Sequence, residues 1–508
     1  MKVHLLYPDR DFDPRAPLPP EAGTVVQDLE LPTLLDAMAS GDRFLFEVAQ
    51  KTLLLSLTKV DEIGYRQRVL EDCLRQPATV RQLYDLAVEA VGLERKVWFG
   101  VSTSPESILR NATDVLRLYV GALRKLRELG AARGGEFRSE GFRGLFSTLA
   151  DELGEEYLRK VEAHLDRLEF RDGLRVSAEL GRGLKGARYA VRSPVAARKG
   201  WLRRLWSQRR TGNSFEVADR DETGHRNLGE LRDRGLNPLA NVVAKSLDHI
   251  LDFFAVLRAE VGFYVGALNL MDRLASKGLP TCLPSARPPE ETVLAARGLY
   301  DVGLALRSNQ EIVPNDLSAN GKELVVITGA NQGGKTTFLR AVGVAHLMMQ
   351  CGLAVGARSF SAGLPRGVFT HFKRREDATM TRGKLEEELH RMSEIASHLR
   401  PHALLLCNES FSSTNEWEGS EIGRQVLRAL SDGHVKVVFV TFLQHLADGI
   451  YRTAAPNTLF LRAERGADGL RTFHLAEAEP WPTGFGADLY RLVFETGAES
   501  GAPAPVRP

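Results

Sequence analysis

Hydrophobic positions recur at intervals of three and four residues along much of the first half of the chain. Over residues 31–129 this spacing is sustained while glycine and proline are scarce, which predicts long amphipathic helices. The spacing stops at a glycine-rich segment, 130–135, then returns over 142–168 and again over 237–277. The first half of the chain is therefore expected to be helical.

Past a proline cluster at 280–289, short apolar runs alternate with helical spacing. The runs at 324–328, 403–407 and 437–441 predict buried strands, and residues 337–350 predict a helix directly after a glycine-rich loop. Such alternation is typical of a parallel α/β sheet.

Composition fits a soluble, multidomain protein. With 508 residues, 43% of them hydrophobic and 26% charged, the chain is expected to form two to four domains. The N-terminus has no signal-peptide pattern, and no segment approaches the roughly 18 apolar residues that span a bilayer. A cytoplasmic protein without membrane contact is expected. The four cysteines have no metal-ligand spacing and are interpreted as reduced thiols: Cys73, Cys282, Cys351 and Cys407.

Charge is placed unevenly, although the net charge is only +2. Residues 171–210 are strongly basic and contain two acidic residues, Asp172 and Glu179. Because long helices flank this segment, it is interpreted as the tip of a lever arm. Its arginines and lysines either contact nucleic-acid phosphates or form a solvated face. Trp201 and Trp206 either stack on bases or pack the tip. The candidate phosphate contacts are Arg198, Lys199, Arg203, Arg204, Arg209 and Arg210.

The loop at 329–336, GANQGGKT, fits the phosphate-binding pattern GxxxxGK(S/T) between a predicted strand and a predicted helix. Its glycines allow backbone N–H groups to face phosphate oxygens, Lys335 balances phosphate charge, and the Thr336 hydroxyl can ligate Mg²⁺. ATP and Mg²⁺ are the expected cofactors. The candidate binding residues are Gly329, Asn331, Gly333, Gly334, Lys335, Thr336 and Thr337.

A second predicted strand runs directly into Asn408 and Glu409. Glu409 is the candidate general base that polarises the attacking water, with Lys335 as its catalytic partner. The alternative is a solvated carboxylate at a strand end. Asn408 is expected to hold the water shell of the metal as an uncharged group, with lowered Mg²⁺ affinity or turnover as the consequence.

The segment 381–392 has helical spacing. This spacing places either Glu387 or Glu388 on one face with Arg391, so by composition alone it indicates a salt-bridged helix.

Several spaced motifs resemble the MutS-type ATPases, and more closely a shortened bacterial MutS-related branch. The motifs are TGANQGGKTTFLR (328–340), FTHFKRRED (369–377), GKLEEELHRMS (383–393), NESFSSTNEWEGSEIG (408–423), YRQRVLEDCL (65–74) and NPLANVVAKSLDHILDFFAVLR (237–258). Their order and length make the resemblance specific, and it extends over essentially the whole chain.

The resemblance implies a mixed fold, in which an all-α helical core with lever and clamp arms is followed by an α/β P-loop, ABC-like ATPase domain. The implied domains are a first part of the helical core (1–130), a lever and basic clamp tip (131–236), a returning lever helix and core (237–290), the ATPase domain (291–495) and a disordered tail (496–508).

The resemblance also implies a head-to-tail homodimer. Each ATP would lie between one subunit's P-loop and the other's signature segment, at Arg382, Gly383 and Lys384. Thr414 and Asn415 would lie in a loop that reaches across the dimer interface. The lever tips would close on duplex DNA.

The departures from the family pattern concern hydrolysis and mismatch recognition. Asn408 stands where MutS proteins carry aspartate, although the shortened branch tends to have asparagine. Phe442 replaces a histidine of the γ-phosphate region, and His445 is either its substitute or a surface residue. The chain is expected to lack the mismatch-reading N-terminal module, and no nuclease domain is expected after Tyr490.

The leading expectation is an ATP-gated homodimeric clamp that acts on DNA in repair or recombination. One alternative is an ATP-binding switch with vestigial hydrolysis. Another is a machine whose basic tip binds RNA or an acidic protein, and a small-molecule kinase is the most distant.

Overall fold

A computed structural model describes residues 1–97, 104–170, 173–182, 186–192, 216–374, 383–453, 455–466 and 471–480. The chain divides into two compact units. The first contains Met1–His4, Ala78–Arg138 and Phe142–Val261, and the second contains Leu5–Pro77, Ser139–Gly141 and Gly262–Pro508.

Helices and strands are numbered here along the chain. The helices are α1 (Ala22–Asp28), α2 (Leu31–Ala39), α3 (Arg43–Leu54), α4 (Val60–Arg75), α5 (Pro77–Val97), α6 (Pro105–Arg133), α7 (Glu140–Glu152), α8 (Glu155–Arg167), α9 (Glu222–Ser276), α10 (Val302–Arg307), α11 (Lys335–Gln350), α12 (Lys384–His398), α13 (Glu416–Asp432) and α14 (Gln444–Arg452). The strands are β1 (Val176–Leu180), β2 (Gly186–Val191), β3 (Ser285–Arg287), β4 (Leu294–Leu299), β5 (Asn315–Ser318), β6 (Leu324–Gly329), β7 (Ser359–Gly363), β8 (Val368–Phe372), β9 (Leu404–Asn408), β10 (Lys436–Val440), β11 (Thr458–Arg465) and β12 (Arg471–Glu477).

In the first unit, α6 is a long amphipathic helix with a well-formed start. The Ser104 hydroxyl accepts a hydrogen bond from the Ser107 N–H, and a proline follows at the first helical position, where its missing N–H costs nothing. Ion pairs join α6 to α8, from Arg117 to Asp166 at 2.9 Å and from Arg124 to Glu162 at 3.0 Å. Because these partly exposed pairs contribute little free energy, the apolar face of α6 supplies most of its stability.

Two predictions about the first unit need correction. The predicted helix over 142–168 is two helices, α7 and α8, with Gly154 before the second. The helix predicted from Asn237 begins at Glu222 and continues through Pro238. Proline is interpreted in sequence as a helix start or stop because it lacks an N–H donor, but one missing hydrogen bond is tolerated within so long a helix.

Strands β1 and β2 form an antiparallel hairpin inside the predicted basic tip. The sequence analysis predicted no strand there. Within that tip, residues 171–172, 183–185 and 193–210 lie outside the described part of the chain.

The second unit is built on a six-stranded sheet in the order β12-β11-β6-β10-β9-β8. All neighbours pair in parallel except β11 and β12. The predicted strands at 324–328, 403–407 and 437–441 are confirmed as β6, β9 and β10, and the predicted helix after the loop is confirmed as α11. Parallel neighbours bring the carboxyl ends of β6, β10, β9 and β8 to one edge of the sheet.

Helices cover both faces of this sheet, which explains why its strands are apolar runs rather than alternating ones. On one face, α11 approaches so closely that a Cβ at Gly343 would lie 2.5 Å from a Leu406 methyl group. On the other face, residues of α12, α13 and α14 share a core with Leu405, Cys407 and Phe439. The result is a three-layer α/β/α arrangement.

The N-terminal helices α1 to α4 also belong to the second unit. Arg66 of α4 is fully buried, and its Nε donates to the Leu6 carbonyl oxygen at 2.7 Å. A four-stranded sheet, in the order β3-β7-β4-β5, completes this unit.

No helix in the described residues is long and apolar enough to cross a membrane. All four cysteines carry free thiols.

Candidate functional site

The glycine-rich loop follows β6 and leads into α11, and its first glycine is required for two reasons. Gly329 has a φ of +110°, in the left-handed region that favours glycine. A Cβ at this position would lie 2.9 Å from the backbone nitrogen of Ala463 on β11. The loop can therefore leave the sheet only if this residue has no side chain.

Gly333 is required for a different reason, since its φ is not positive. A Cβ there would lie 2.9 Å from the Cβ of Ala463 and 3.0 Å from the carbonyl oxygen of Ala330. Ala463 of β11 is thus the packing surface for both Gly329 and Gly333. Sequence reasoning attributed these glycines to phosphate contact alone and missed Ala463, which lies far from the motif in the chain.

Lys335 holds the loop together from inside. Its side chain is buried, and Nζ donates to the carbonyl oxygens of Gly329 at 2.7 Å and Ala330 at 2.8 Å. Burial lowers the pKa of Lys335, and the nearby negative charge of Glu409 partly opposes this shift. Lys335 and Glu409 line the same cavity.

The side chains predicted to hold the metal join the first turn of α11 to the end of β9. The Thr336 hydroxyl donates to Oδ1 of Asn408 at 3.0 Å. The next residue, Glu409, has a φ of +56° while its N–H donates to the Val440 carbonyl oxygen at 2.8 Å. This hydrogen bond to β10 holds the carboxylate at the carboxyl edge of the sheet despite the unfavourable backbone conformation.

These groups open into a cavity of about 440 Å³, within the range of small-molecule sites. An apolar part of the lining contains Ile312, Val313 and Phe473. The polar part includes the loop residues and Glu409, together with Asp301, Ser308, Gln310, Glu311 and Asn315. Asn315 positions Phe473, because its Nδ2 donates to the Phe473 carbonyl oxygen at 3.1 Å. The lining includes every predicted cofactor residue except Gly329: Asn331, Gly333, Gly334, Lys335, Thr336 and Thr337.

The donor set suits a magnesium ion that arrives with phosphates. Thr336 and Asn408 offer neutral oxygen atoms, and Glu409 is one of the carboxylates that line the cavity, together with Asp301 and Glu311. Within the described ranges, no group of three histidine, cysteine or acidic residues is arranged to hold a metal. Mg²⁺ retains waters and relies on substrate phosphates, so a site with few protein charges fits it.

Behind Glu409 lies a buried polar network that sequence reasoning missed. Glu388 is 2% exposed, and its Oε1 accepts a hydrogen bond from the Phe411 N–H at 2.9 Å. His371 bridges Ser410, whose Oγ lies 2.7 Å from Nδ1, and the Glu388 carbonyl oxygen, which lies 3.1 Å from Nε2. Burial, with nearby arginines, lowers the pKa of His371 to about 4, so the ring is neutral near pH 7. A neutral ring accepts from Ser410 and donates to Glu388.

This network decides between the two pairings predicted for α12. Arg391 pairs with Glu387, with Nε and Oε1 3.2 Å apart, while Glu388 points into the core. The sequence carried a signal for this: Glu388 has helical spacing with the buried Met392 and Ile395, which places it on the apolar face.

The residues predicted to face a second subunit are partly described. Gly383 is the N-cap residue of α12, and Lys384 is the first residue of that helix. Asn415 caps α13 by accepting a hydrogen bond from the Glu418 N–H at 2.9 Å, and Thr414 bonds the Glu418 carboxylate. Arg382 lies outside the described residues.

At the end of β10, Phe442 is 42% exposed. His445 is also exposed, and its backbone N–H donates to Glu416 at 3.3 Å. The predicted nucleic-acid residues, together with Trp201 and Trp206, lie outside the described residues: Arg198, Lys199, Arg203, Arg204, Arg209 and Arg210.

Two family models match this chain. Residues 58–277 match the MutS2 N-terminal domain, and residues 325–493 match MutS domain V. Together the two models cover more than half of the chain. The second match contains the loop, Glu409 and the strand ends described above.

Curated relatives agree with these models. DNA mismatch repair protein MutS of Caulobacter vibrioides is 29% identical over 206 residues, covering 39% of this chain and 22% of the relative. DNA mismatch repair protein MutS of Synechococcus sp. (strain CC9605) is 27% identical over 277 residues, covering 52% and 30%. DNA mismatch repair protein MutS 2 of Halobacterium salinarum is 28% identical over 249 residues, covering 47% and 27%. The match thus spans less than a third of each relative. With two matching domain models and these relatives, the chain belongs to the MutS family.

Proposed function

We propose that this protein binds ATP with Mg²⁺ at the loop 329–336 and hydrolyses it. The observation that carries the proposal is the convergence of Lys335, the Thr336–Asn408 hydrogen bond and Glu409 on one cavity of about 440 Å³. The loop amides and Lys335 bind phosphate oxygens, Thr336 ligates Mg²⁺, and Asn408 orients a water of its shell. Glu409 accepts the proton of the attacking water.

The chemistry supplied by bound Mg²⁺ is neutralisation of phosphate charge. The protein contributes positioning, because its groups are already held at the edge of the sheet. Two carbonyl oxygens now bind the Lys335 ammonium, and phosphate oxygens would replace them as its partners. Since the lysine begins with a lowered pKa, its charge is more fully available once a phosphate binds beside it.

The binding test compares Lys335→Ala with Lys322→Ala by titration of a fluorescent ATP analogue. Lys322 precedes β6, at the opposite edge of the sheet, where Nζ donates to the Pro456 carbonyl oxygen at 2.7 Å. Loss of charge-assisted hydrogen bonds in Lys335→Ala should weaken ATP binding roughly 10- to 100-fold. Lys322→Ala should bind as the wild type does. Equal affinity in the two variants would refute the site.

We further propose that the protein is a homodimer with an ABC-like ATPase domain, in which each ATP contacts the partner subunit. Gly383 has open space around its missing Cβ, Asn415 is exposed and Thr414 is half-buried, which supports contact by a second copy. Sedimentation with and without ATP tests this. A monomer under both conditions, at concentrations that saturate ATP binding, would contradict the composite site.

DNA is the proposed partner. The relatives are named as DNA mismatch repair proteins, and the basic segment 171–210 supplies the charge that phosphate binding requires. In this proposal, ATP closes the ATPase domains, and helical levers transmit closure to clamp tips that grip DNA. The tips contact phosphates, so binding follows DNA shape rather than sequence.

Affinity for duplex, junction and single-stranded DNA across a salt series tests this partner. Each lost phosphate contact reduces the log–log salt slope by about 0.9, so Arg203→Ala with Arg204→Ala should reduce it by roughly 2. A matched pair, Arg43→Ala with Arg366→Ala, removes two exposed arginines that form ion pairs with Glu47 and Glu290. If both double variants keep the wild-type slope, the tip does not bind DNA, and RNA or an acidic protein becomes the candidate partner.

A second candidate function is an ATP-dependent switch that does not turn over. The neutral Asn408 and the exposed Phe442 favour it, because neither supplies charge beside the terminal phosphate. Single-turnover measurement on the wild-type protein separates the two functions: ATP that stays intact while bound supports the switch.

A further inference from the structure

Three neighbouring strands of the six-stranded sheet end side by side, and the middle one leads into Glu409, which lines the candidate ATP site. β8 is followed by Lys373, β9 ends in Asn408 and Glu409, and β10 is followed by Thr441 and Phe442. The Lys373 N–H donates to the Asn408 carbonyl oxygen at 3.0 Å, so the backbone at these strand ends is held in register. The backbone of Lys373 is therefore fixed beside Asn408.

The side chain of Lys373 extends across the end of β9. Its ammonium nitrogen lies 5.8 Å from the centroid of the Phe442 ring, within the range of a cation–π contact. Adjacent strands are about 4.8 Å apart, so β8 and β10 are separated by about 10 Å, with β9 between them. Lys373 and Phe442 therefore meet across the end of β9, the strand that Glu409 follows.

The charge of Lys373 is available to a ligand. The residue is exposed, and no carboxylate in the described residues forms an ion pair with its ammonium. By contrast, Lys335 is buried and bonded to two carbonyl oxygens, and Arg391 bonds the Phe372 carbonyl oxygen at 2.9 Å and pairs with Glu387. Among these cations, Lys373 is the one held by an aromatic ring rather than by oxygen atoms.

A cation at the end of β9 would add to Lys335 and Mg²⁺ in balancing the charge of the terminal phosphate. Bound on the loop with Thr336, this phosphate would add negative charge next to the Glu409 carboxylate, while Asn408 and Phe442 are neutral. A lysine ammonium on a flexible stem can leave a ring face for a phosphate oxygen, because the charged hydrogen bond is the stronger interaction.

We propose that the Lys373 ammonium binds the terminal phosphate of ATP and makes the site prefer ATP over ADP. This inference rests on the proposed function, because it requires ATP in the loop. Phe442 holds the ammonium at the end of β9 until ATP binds. The β-phosphate is bound by the loop on β6, two strands from β9, so Lys373 contacts the terminal phosphate alone.

The test measures dissociation constants for fluorescent ATP and ADP analogues with the full-length wild type, Lys373→Ala, Lys373→Arg and Lys322→Ala. In Lys373→Ala, ATP should bind roughly tenfold more weakly while ADP changes less than about twofold. Arginine keeps the charge and should retain most of the ATP preference. Lys322→Ala removes a lysine at the opposite edge and should leave both constants unchanged.

Each outcome has a distinct meaning. Equal weakening of ATP and ADP, or no change in either, overturns the role of Lys373 while leaving the ATP site intact. Absence of nucleotide binding by the wild type overturns both the proposed function and this inference. Folding is checked by thermal unfolding, and alanine preserves the backbone hydrogen bond to Asn408.

A second variant tests the part played by the ring. Phe442→Ala removes the surface that holds the ammonium but leaves its charge. ATP preference should fall by less than in Lys373→Ala, and the double variant should resemble Lys373→Ala. A double variant that loses clearly more ATP affinity than Lys373→Ala would show that Phe442 acts independently of the lysine.

Discussion

The two edges of the six-stranded sheet carry similar polar residues but differ in how those residues are used. At the amino edge, the Glu323 carboxylate lies 3.3 Å from His434 Nδ1 and accepts from Asn457 at 3.1 Å and Ser431 at 3.4 Å, beside a cavity of only about 30 Å³. At the carboxyl edge, the cavity is about 440 Å³, and Glu409 lines it. At the amino edge the polar groups bond to one another and leave little empty volume. At the carboxyl edge the cavity is open to a ligand.

This difference shows that strained backbone alone does not identify the functional edge. Left-handed φ angles occur at Glu409 and Gln332 on the carboxyl edge, but also at His402 and His434 on the amino edge. What distinguishes the carboxyl edge is that its polar groups face empty volume. Ligands of open α/β sheets bind at the carboxyl ends of strands, and the two edges here follow that rule.

The largest expected effect is on the rate of ATP hydrolysis, which should depend on the glutamate at the carboxyl edge and not on the one at the amino edge. Glu409→Gln keeps the size of the side chain but removes its basicity, so single-turnover ATP hydrolysis should slow by about 10²- to 10⁴-fold while ATP binding persists. The matched change at the amino edge, Glu323→Gln, should leave the rate unchanged. A wild-type rate in Glu409→Gln would show that this carboxylate is not the general base.

A smaller effect concerns the loop that opens the carboxyl edge. Gly333→Ala forces a Cβ to within 2.9 Å of Ala463, so the variant should lose about 1–3 kcal/mol of unfolding free energy and bind ATP more weakly. Gly449→Ala is the control, because this glycine of α14 has nothing within 4 Å of an added Cβ. The control should gain about 0.5–1 kcal/mol. Urea unfolding measures both, and equal shifts would contradict the packing argument.

Variants of Glu388 test whether the buried network positions the groups at the carboxyl edge of the sheet. Glu388→Ala leaves the Phe411 N–H without its acceptor, which should cost about 1–3 kcal/mol of stability and lower kcat without changing the ATP dissociation constant. Glu388→Gln retains an acceptor oxygen and should restore most of kcat. A Gln variant as slow as the Ala variant would show that the charge, not the hydrogen bond, is what Glu388 supplies.

The smallest effect belongs to the amino edge. Burial lowers the pKa of Lys436 to about 8, against the opposing charge of Glu323. Because the unfolded chain keeps this lysine protonated up to about pH 10.4, it binds more protons than the folded state between about pH 8 and 10.4, and stability rises with pH there.

One such proton contributes at most about 1.4 kcal/mol per pH unit. The rise should be smaller in Lys436→Met, as measured by urea unfolding at pH 7.5 and 9.5, and ATP binding should not change. An identical rise in stability in Lys436→Met would show that the titration of Lys436 does not cause the rise.

Local patterns were enough to predict the loop, the strands β6, β9 and β10, and the helix α11. A buried parallel strand is a continuous apolar run, and the loop is recognised by fixed spacing between a strand and a helix. The four-stranded sheet was not predicted, because short strands such as β5, Asn315–Ser318, combine few apolar residues with polar ones. The early start of α9 was missed because the prediction began at residue 237, where regular apolar spacing returns, whereas the helix begins at Glu222.

The site residues also divide into those that local sequence patterns predicted and those that they did not. Lys335, Thr336 and Glu409 were found because each follows a strand or sits within a motif. Ala463 and Glu388 were missed because their roles depend on contacts between elements distant in the chain.

The amino-acid order was sufficient for the phosphate loop, the acidic strand end and membership of the α/β class, since these depend on spacing along the backbone. The three-dimensional packing decided which glycines meet Ala463, which glutamate enters the core, and that Lys373 meets Phe442. Those contacts follow from the strand order β10-β9-β8 and from helices packed on its faces. Spacing along a chain does not encode which strand lies beside which, because that pairing is selected by the burial of the whole sheet.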